Sequence, residues 1–391
     1  MRITNPIRDI VDRLVPPKDH PKPFLSLSIG DPTVFGNLKP PVELTEALVE
    51  SVKSHKYDGY AHAAGHVAVR EAVAKKLGLG LSKDDIVMAS GGSGALEMII
   101  NVLADSGDNL LIPSPGFSLY QTLLHHRGAE PRYYHLRPEN NWEVDLDELD
   151  SLVDSRTVAI LLNNPSNPCG SVYSKEHIEN IIKVAERHQL PIIADEIYGD
   201  LVWNNHHFYP VASLSANVPV LSVSGLAKLF IVPGWRLGWI AIHDRHDVLS
   251  DVRIALNKQT QLILGPSTVI QSVVEVALHK VPESYHDNLR LTLKTHANLV
   301  CDRLEKTPGL TIVRPGGAMY MMVGIKPENF IDIKDDVEFA KGLLTEENLS
   351  ILPGTIFTCP NFLRIVICAP EDKLNDACSR IESYCARHAK K

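Results

Sequence analysis

Between about residues 46 and 290, short β-branched runs alternate with longer stretches of helical periodicity. That alternation is the sequence form of a mostly parallel sheet whose strands are joined by helical crossovers. The runs at 85–90, 109–113, 132–136, 158–162, 191–194, 218–223 and 238–242 are the expected strands. The clearest helix follows Ser174, where Ile178, Ile181, Ile182 and Ala185 recur along one face. A second is expected over 94–104, directly after a glycine-rich turn. Toward the C-terminus the pattern changes, with helical stretches at 291–304 and 335–347 and strand patterns at 319–323 and 363–367. The expected architecture is α/β: a large domain over 46–290 with its sheet sandwiched by helices, and a smaller α+β domain built from an N-terminal segment, 1–45, and from 291–391. At 391 residues and 44% apolar content, the chain can bury a core in each.

Several classes of function fall away on composition. A net charge of −8, with no long Lys/Arg block, speaks against a nucleic-acid partner. No stretch reaches the ~18 uninterrupted apolar residues of a membrane span. The N-terminus, Met1-Arg2-Ile3-Thr4-Asn5-Pro6, lacks an apolar signal core and the Arg/Ser-rich character of a long transit peptide, so a cytoplasmic protein is expected ahead of a mitochondrial one. The six cysteines (169, 301, 359, 368, 378 and 385) show no CxxC spacing and read as reduced thiols. The 17 histidines are scattered, none in an HExxH pattern, and no metal is expected. The adjacent pairs His125-His126 and His206-His207 point to different sides of a helix or strand and read as polar side chains on the surface.

Three motifs stand in a telling order. Lys228 closes Ser224-Gly225-Leu226-Ala227-Lys228, eight residues before Arg236 in Pro233-Gly234-Trp235-Arg236-Leu237-Gly238-Trp239. Upstream lies Asp195, with Tyr198 three residues on. An amine, an acid with a nearby phenol and a fixed arginine are what pyridoxal phosphate demands: a partner for its aldehyde, one for its ring nitrogen and a clamp for its phosphate. The small apolar flank of Lys228 is a poor setting for a merely solvated charge. Asp195 ends the apolar run Leu190-Pro191-Ile192-Ile193-Ala194, and is either a helix N-cap or the carboxylate that keeps the ring nitrogen protonated. Tyr198 is either a donor to the ring's phenolate oxygen or a half-buried core tyrosine.

The stretch Ser90-Gly91-Gly92-Ser93-Gly94-Ala95-Leu96 places free amides and the Ser93 hydroxyl at a helix start, an anion site formed by Gly92, Ser93 and Gly94. The GxGxxG order of a dinucleotide turn is absent, and a monophosphate with Arg236 as a charged second contact fits better. Asn163-Asn164-Pro165-Ser166-Asn167-Pro168-Cys169-Gly170 carries two Asn-Pro pairs, a rigid loop open to cis peptides that would hold the Asn167 amide toward a ring oxygen. Phe117, in Pro113-Ser114-Pro115-Gly116-Phe117, either stacks on a planar ring or packs in the core.

With these motifs stand Gly30-Asp31-Pro32-Thr33, Arg137-Pro138-Glu139-Asn140 and Leu352-Pro353-Gly354, all in sequence order. From Asn5-Pro6-Ile7-Arg8 to the C-terminal helix the chain resembles the fold-type I pyridoxal-phosphate-dependent aminotransferases, and within that family it is similar to the branch that acts on tyrosine. The resemblance implies that Lys228 joins the cofactor aldehyde and moves the substrate α-proton, that Asp195 pairs with the ring nitrogen, and that Asn167 and Tyr198 flank the ring hydroxyl. Arg236, Gly92 and Ser93 would hold the phosphate. Where many relatives have a phosphate-binding serine three positions before the lysine, this chain has Gly225, with Ser224 one residue earlier as the candidate contact. Arg364, in Asn361-Phe362-Leu363-Arg364-Ile365, would bind the substrate α-carboxylate, and Gly30 would let the backbone approach the substrate.

Tyr60, in Tyr60-Ala61-His62-Ala63-Ala64-Gly65, would reach the phosphate of a neighbouring subunit, implying a homodimer with shared sites. The resemblance further implies amino acids and 2-oxo acids as substrates, exchanged in a ping-pong cycle, with donors such as tyrosine and acceptors such as 2-oxoglutarate, pyruvate or oxaloacetate. No arginine occurs in 259–266, where a strict dicarboxylate enzyme would carry a second one, which favours aromatic or mixed donors. Donor selectivity is expected to involve residues 5–10. The runner-up is a carbon–sulfur lyase or an aminocyclopropane-carboxylate-synthase-like enzyme sharing Lys228, Asp195 and Arg236. A transcription regulator with a transaminase-like domain would need an added DNA-binding segment, for which this length leaves no room.

Overall fold

The computed structural model describes residues 15–390. Its large sheet has eight strands, in the spatial order Ile86–Ala89, Gly238–His243, Val220–Gly225, Ile192–Asp195, Thr157–Asn163, Asn109–Ser114, Glu130–Arg137 and Glu143–Val144. The five from Val220–Gly225 to Glu130–Arg137 are parallel, while Gly238–His243 runs antiparallel to both neighbours and Glu143–Val144 pairs antiparallel at the edge. The expected seven strands all form. The eighth is a two-residue edge pairing, too short to leave a pattern.

The inner strands are buried along their length because helices cover both faces, which is why they read as continuous apolar runs rather than alternations. Lys175–Arg187 is one such helix. Ser174 caps it, its hydroxyl accepting from the His177 N–H at 3.2 Å, and Ile178, Ile181, Ile182 and Ala185 all face the core. The helix expected from 94 instead begins at Gly91 and runs to Leu103. The glycines are its first turn rather than a loop before it. Gly91 takes φ 71°, and the neighbouring strand passes so near that a Cβ on Gly238 would lie 2.6 Å from the Gly91 carbonyl carbon.

A second, antiparallel sheet holds Leu310–Ile312, Tyr320–Ile325, Phe362–Val366 and Leu352–Pro353 in that order. Glu283–Leu304, Asp336–Glu347 and Glu371–His388 contribute to its core. The chain's N-terminal part joins this unit, with Leu25–Ser26 pairing parallel to Leu349–Ser350. Two helices, Val42–Ser54 and Glu283–Leu304, run through positions 45/46 and 290/291, where the sequence suggested changes of domain. The second starts directly after Pro282, a natural helix entry. No helix among the described residues is long and apolar enough to cross a membrane.

Candidate active site

A cleft of about 390 Å³ opens at the carboxyl ends of the parallel strands, bounded by the second sheet and by the segment around Gly30. Such strand ends are where open α/β sheets gather ligand-binding groups. Asp195 is the last residue of its strand and is buried. The Tyr120 hydroxyl donates to its Oδ2 at 2.7 Å, and the Ile197 N–H donates to Oδ1 at 3.3 Å. Burial pushes the carboxyl up to about 6, opposed by those two hydrogen bonds and by the charge of Lys228. Turns rather than a helix follow, so the N-cap alternative is set aside.

Tyr120 was not singled out by sequence, because a tyrosine on the buried face of Leu119–Arg127 reads as core. Its hydroxyl, fully enclosed and held on Asp195, gives it a positioning role. Tyr120→Phe is expected to raise the Asp195 pKa and move the acid limb of the kcat/KM profile to higher pH. A hydrogen bond to a charged group contributes about 1.5–3 kcal/mol, so a loss of roughly tenfold or more in kcat/KM should accompany it. An unmoved profile with full activity would remove Tyr120 from this role.

Lys228 stands across the cleft, its Nζ donating to the Gly30 carbonyl at 2.9 Å and lying 5.8 Å from the Tyr198 ring centre. Gly30 cannot be larger: a Cβ there would collide with the Tyr320 hydroxyl. Tyr198 is buried rather than half-buried, and its hydroxyl exchanges a 2.9 Å hydrogen bond with that of Tyr320. Tyr320, from the second sheet, is another residue the sequence concealed. It sits in an apolar strand with no neighbouring motif.

Asn167 is fixed from below. Its N–H donates to Asn163 Oδ1 at 2.7 Å, while Asn163 Nδ2 donates to the Asp195 carbonyl at 3.1 Å. The two Asn-Pro bonds in this loop, Asn164–Pro165 and Asn167–Pro168, are cis. Asn167 Oδ1 accepts from Arg364 Nη1 at 3.0 Å, and Arg364 Nη2 donates to the Ser28 carbonyl at 2.6 Å. Arg364 is 3% exposed, sandwiched between the Tyr320 and Phe357 rings at 4.5 and 4.7 Å. Its Nε has no hydrogen-bond partner, and no carboxylate among the described residues pairs with it. Burial pulls its pKa below the usual arginine value. A buried cation without a counter-ion is costly, and this one lines a cleft able to admit an anion.

At the other end Gly92 and Ser93 line the cleft from the first turn of Gly91–Leu103. Arg236, in left-handed backbone at φ 52°, extends its guanidinium over that turn, with Nη2 donating to the Ser90 carbonyl at 3.2 Å. Helix N–H groups and a guanidinium together attract an anion. Phe117 lines the cleft edge-on to Tyr120, with ring centres 5.7 Å apart.

Three expected site residues are not brought into this cleft. Gly94 lies further into the helix, its position facing Ser90. Ser224 lines a separate cavity on the far face of the sheet, because alternation along Val220–Gly225 turns it away while Val223 faces Gly92. Tyr60 is 91% exposed and is not among the residues that line the cleft of its own chain. Residues 5–10, expected to govern donor selectivity, lie outside the described residues.

A mostly parallel sheet with an amine, a buried carboxyl and a buried arginine without a counter-ion around one cleft defines the protein as a transferase of fold-type I architecture. The family model for aminotransferases of class I and II matches residues 22–381, and the chain belongs to that family. It is 48% identical over 388 residues to the tyrosine aminotransferase of Mus musculus, covering 98% of this chain and 86% of the relative. It is 47% identical to that of Dictyostelium discoideum, over 99% and 95% of the two chains. The crystal structure of tyrosine aminotransferase from Leishmania infantum superimposes with a TM-score of 0.96 at 37% identity, covering 100% of this chain and 97% of the other. An alanine aminotransferase from Pyrococcus furiosus follows at 0.92 and 28% identity, covering 99% and 98%.

Proposed function

We propose that the chain binds pyridoxal 5′-phosphate in this cleft and transfers the amino group of tyrosine, with other aromatic or mixed amino acids as further donors, to a 2-oxo acid such as 2-oxoglutarate or pyruvate. The donor set fits the cofactor group by group. The Asp195 carboxyl suits a ring nitrogen, Lys228 an aldehyde, and Gly92, Ser93 and Arg236 a phosphate; Asn167 and Tyr198 suit the ring hydroxyl and Phe117 the ring edge. Ser224, one strand position off, and Gly94 fall outside that set. Bound pyridoxal phosphate supplies a conjugated ring that accepts the electron pair left on the substrate's α-carbon.

The chain's own residues do the rest. Arg364 holds the substrate α-carboxylate through its fork, and Asn167 Oδ1 keeps that fork from turning. Lys228 removes the α-proton and returns it at the adjoining carbon, acting in turn as base and acid. Asp195, kept as an acceptor by Tyr120, holds the proton on the ring nitrogen. The observation that carries this reading is the unpaired, buried Arg364. Aromatic side chains suit the apolar part of the lining, Ile29, Leu96, Ile197 and Pro233. The names of the relatives favour tyrosine as donor.

A steady-state panel of amino donors against three oxo acids tests it. Tyrosine should exceed aspartate in kcat/KM by at least about tenfold, in keeping with the lack of an arginine in 259–266. Release of free ammonia or a thiol, without conversion of the bound cofactor to its amine form, would instead identify the lyase reading. The same proposal includes a homodimer in which Tyr60 reaches the partner's phosphate site. Its exposure on the single chain supports this, as do the apolar residues Leu262, Ile263 and Leu264, exposed at 80%, 65% and 53%. A dimer of Tyr60→Phe chains should bind the cofactor several-fold more weakly, and co-assembly with Lys228→Ala chains should restore one sound site per mixed dimer. Cytoplasmic residence belongs to the proposal too, with the six unpaired thiols as its support and cell fractionation as its check.

A further inference from the structure

Behind the strand that carries Asp195 lies a second cavity of about 480 Å³, larger than the cleft itself. The two share a wall. Asp195 faces the cleft, and the next residue, Glu196, faces the cavity; Ile197 lines both. Likewise Ala227 and Lys228 face the cleft, whereas Ser224 and Phe230 face the cavity. Apart from Ile197, which belongs to both linings, none of the cavity's side chains has a part in the transfer reaction.

Its lining is chemically unusual for a packing void. Phe208, Phe230 and Trp239 supply aromatic walls. Glu196 enters among them, one carboxylate oxygen accepting from the Val211 N–H at 2.8 Å. Burial, with Asp195 and Asp200 nearby, pushes that carboxyl up to about 8 against the Val211 hydrogen bond. His286 is 9% exposed, wedged edge-on between the rings of Phe230 and Tyr285, and its Nδ1 has no hydrogen-bond partner. His243 shares a 3.0 Å hydrogen bond with Ser222, and burial pulls its imidazole down to about 4, so it is uncharged at neutral pH. At the rim Arg290 is neutralised by Glu283 and Asp287, and Asp200 stands beside it. Lys76 is exposed at the edge. The interior therefore offers aromatic faces and a carboxyl group with which no cationic side chain among the described residues forms an ion pair.

We propose that this cavity is a second small-molecule site, built for a ring-bearing ammonium compound. The ring packs among Phe208, Phe230 and Trp239, and the ammonium donates to Glu196 while facing the aromatic walls. A positive charge there returns Glu196 to its ionised form, which the dry cavity disfavours on its own. Because Ile197 forms part of both linings and its N–H holds Asp195, the occupant is coupled to the cleft. The proposal holds whichever amino donor the enzyme takes.

The test uses the cofactor-loaded dimer and N,N-dimethylbenzylamine, a tertiary amine that is protonated at neutral pH and cannot condense with an aldehyde. Equilibrium dialysis is run with 3-(4-hydroxyphenyl)propionate filling the cleft. One amine should bind per chain in the presence of that acid. Glu196→Gln should weaken binding at least about tenfold, since an ion pair is lost. Leu278→Trp, which fills the cavity from its wall, should abolish binding while the cofactor absorbance and basal turnover remain. Saturating amine should change turnover at least twofold in the parent enzyme. Absence of binding at millimolar amine, displacement by the propionate, or indifference to both substitutions would overturn the site. Full occupancy with unchanged turnover would overturn the coupling.

Discussion

Lys228→Ala is expected to lower turnover on the order of 10⁴-fold, the upper range for removal of a positioned acid–base group. The substitution removes the amine that meets the cofactor and the base that moves the α-proton, so both half-reactions fail together. The folded state should survive. Lys228 is only half-buried, and its hydrogen bond in the structure goes to the Gly30 carbonyl, which water can satisfy. The measurements are single-turnover kinetics with tyrosine, borohydride trapping of the labelled cofactor, and thermal unfolding. Loss of trapping at position 228 with an unchanged melting transition is the expected pattern. Near-normal turnover in this variant would remove the proposed chemistry altogether.

Arg364→Leu is expected to reduce kcat/KM for every amino donor by roughly 30- to 5,000-fold, the equivalent of about 2–5 kcal/mol for truncating one partner of a buried charge pair. The loss should fall on all donors alike, since every α-amino acid presents the same carboxylate. Cofactor absorbance should persist, because Arg364 touches Asn167 and Ser28 rather than the phosphate end. Arg364→Lys keeps the charge but loses the fork, and should recover only part of the activity. Its ammonium cannot hold Asn167 Oδ1, Ser28 and a substrate carboxylate in one plane. A variant that discriminates among donors as before, at undiminished efficiency, would place the carboxylate elsewhere.

The inner parallel strands and their order along the chain were legible because each is a largely buried run bounded by turn residues, with both faces demanding apolar side chains, whereas Glu130–Arg137 toward the edge is only partly buried. Asp195, Lys228, Asn167 and Arg236 were legible for a different reason: each breaks the local pattern at a strand end or loop. Arg364 was not legible from its own surroundings, and only the resemblance pointed to it. Its burial between Tyr320 and Phe357, without a counter-ion among the described residues, is the physical fact that supports its proposed role as a ligand group. Tyr120 and Tyr320 left no trace. Each lies in an apolar stretch where a tyrosine is ordinary core, and the partner of its hydroxyl is distant in sequence, 75 residues from Tyr120 to Asp195 and 122 from Tyr198 to Tyr320.

Ser224 marks the limit of reading by spacing. One residue along a strand reverses the face a side chain points to, so a serine adjacent to the expected position lands in the second cavity instead of the cleft. The sequence by itself determined the α/β class, the strand succession and Asp195, Lys228 and Arg236 as candidate charged groups, since periodicity and local breaks in it are one-dimensional signals. Only the tertiary structure decided which hydroxyl holds Asp195, which arginine lacks a counter-ion and which residues share the wall at Ile197. Those depend on contacts between segments far apart in the chain, and side-chain direction at such contacts is set by packing rather than by neighbours in sequence.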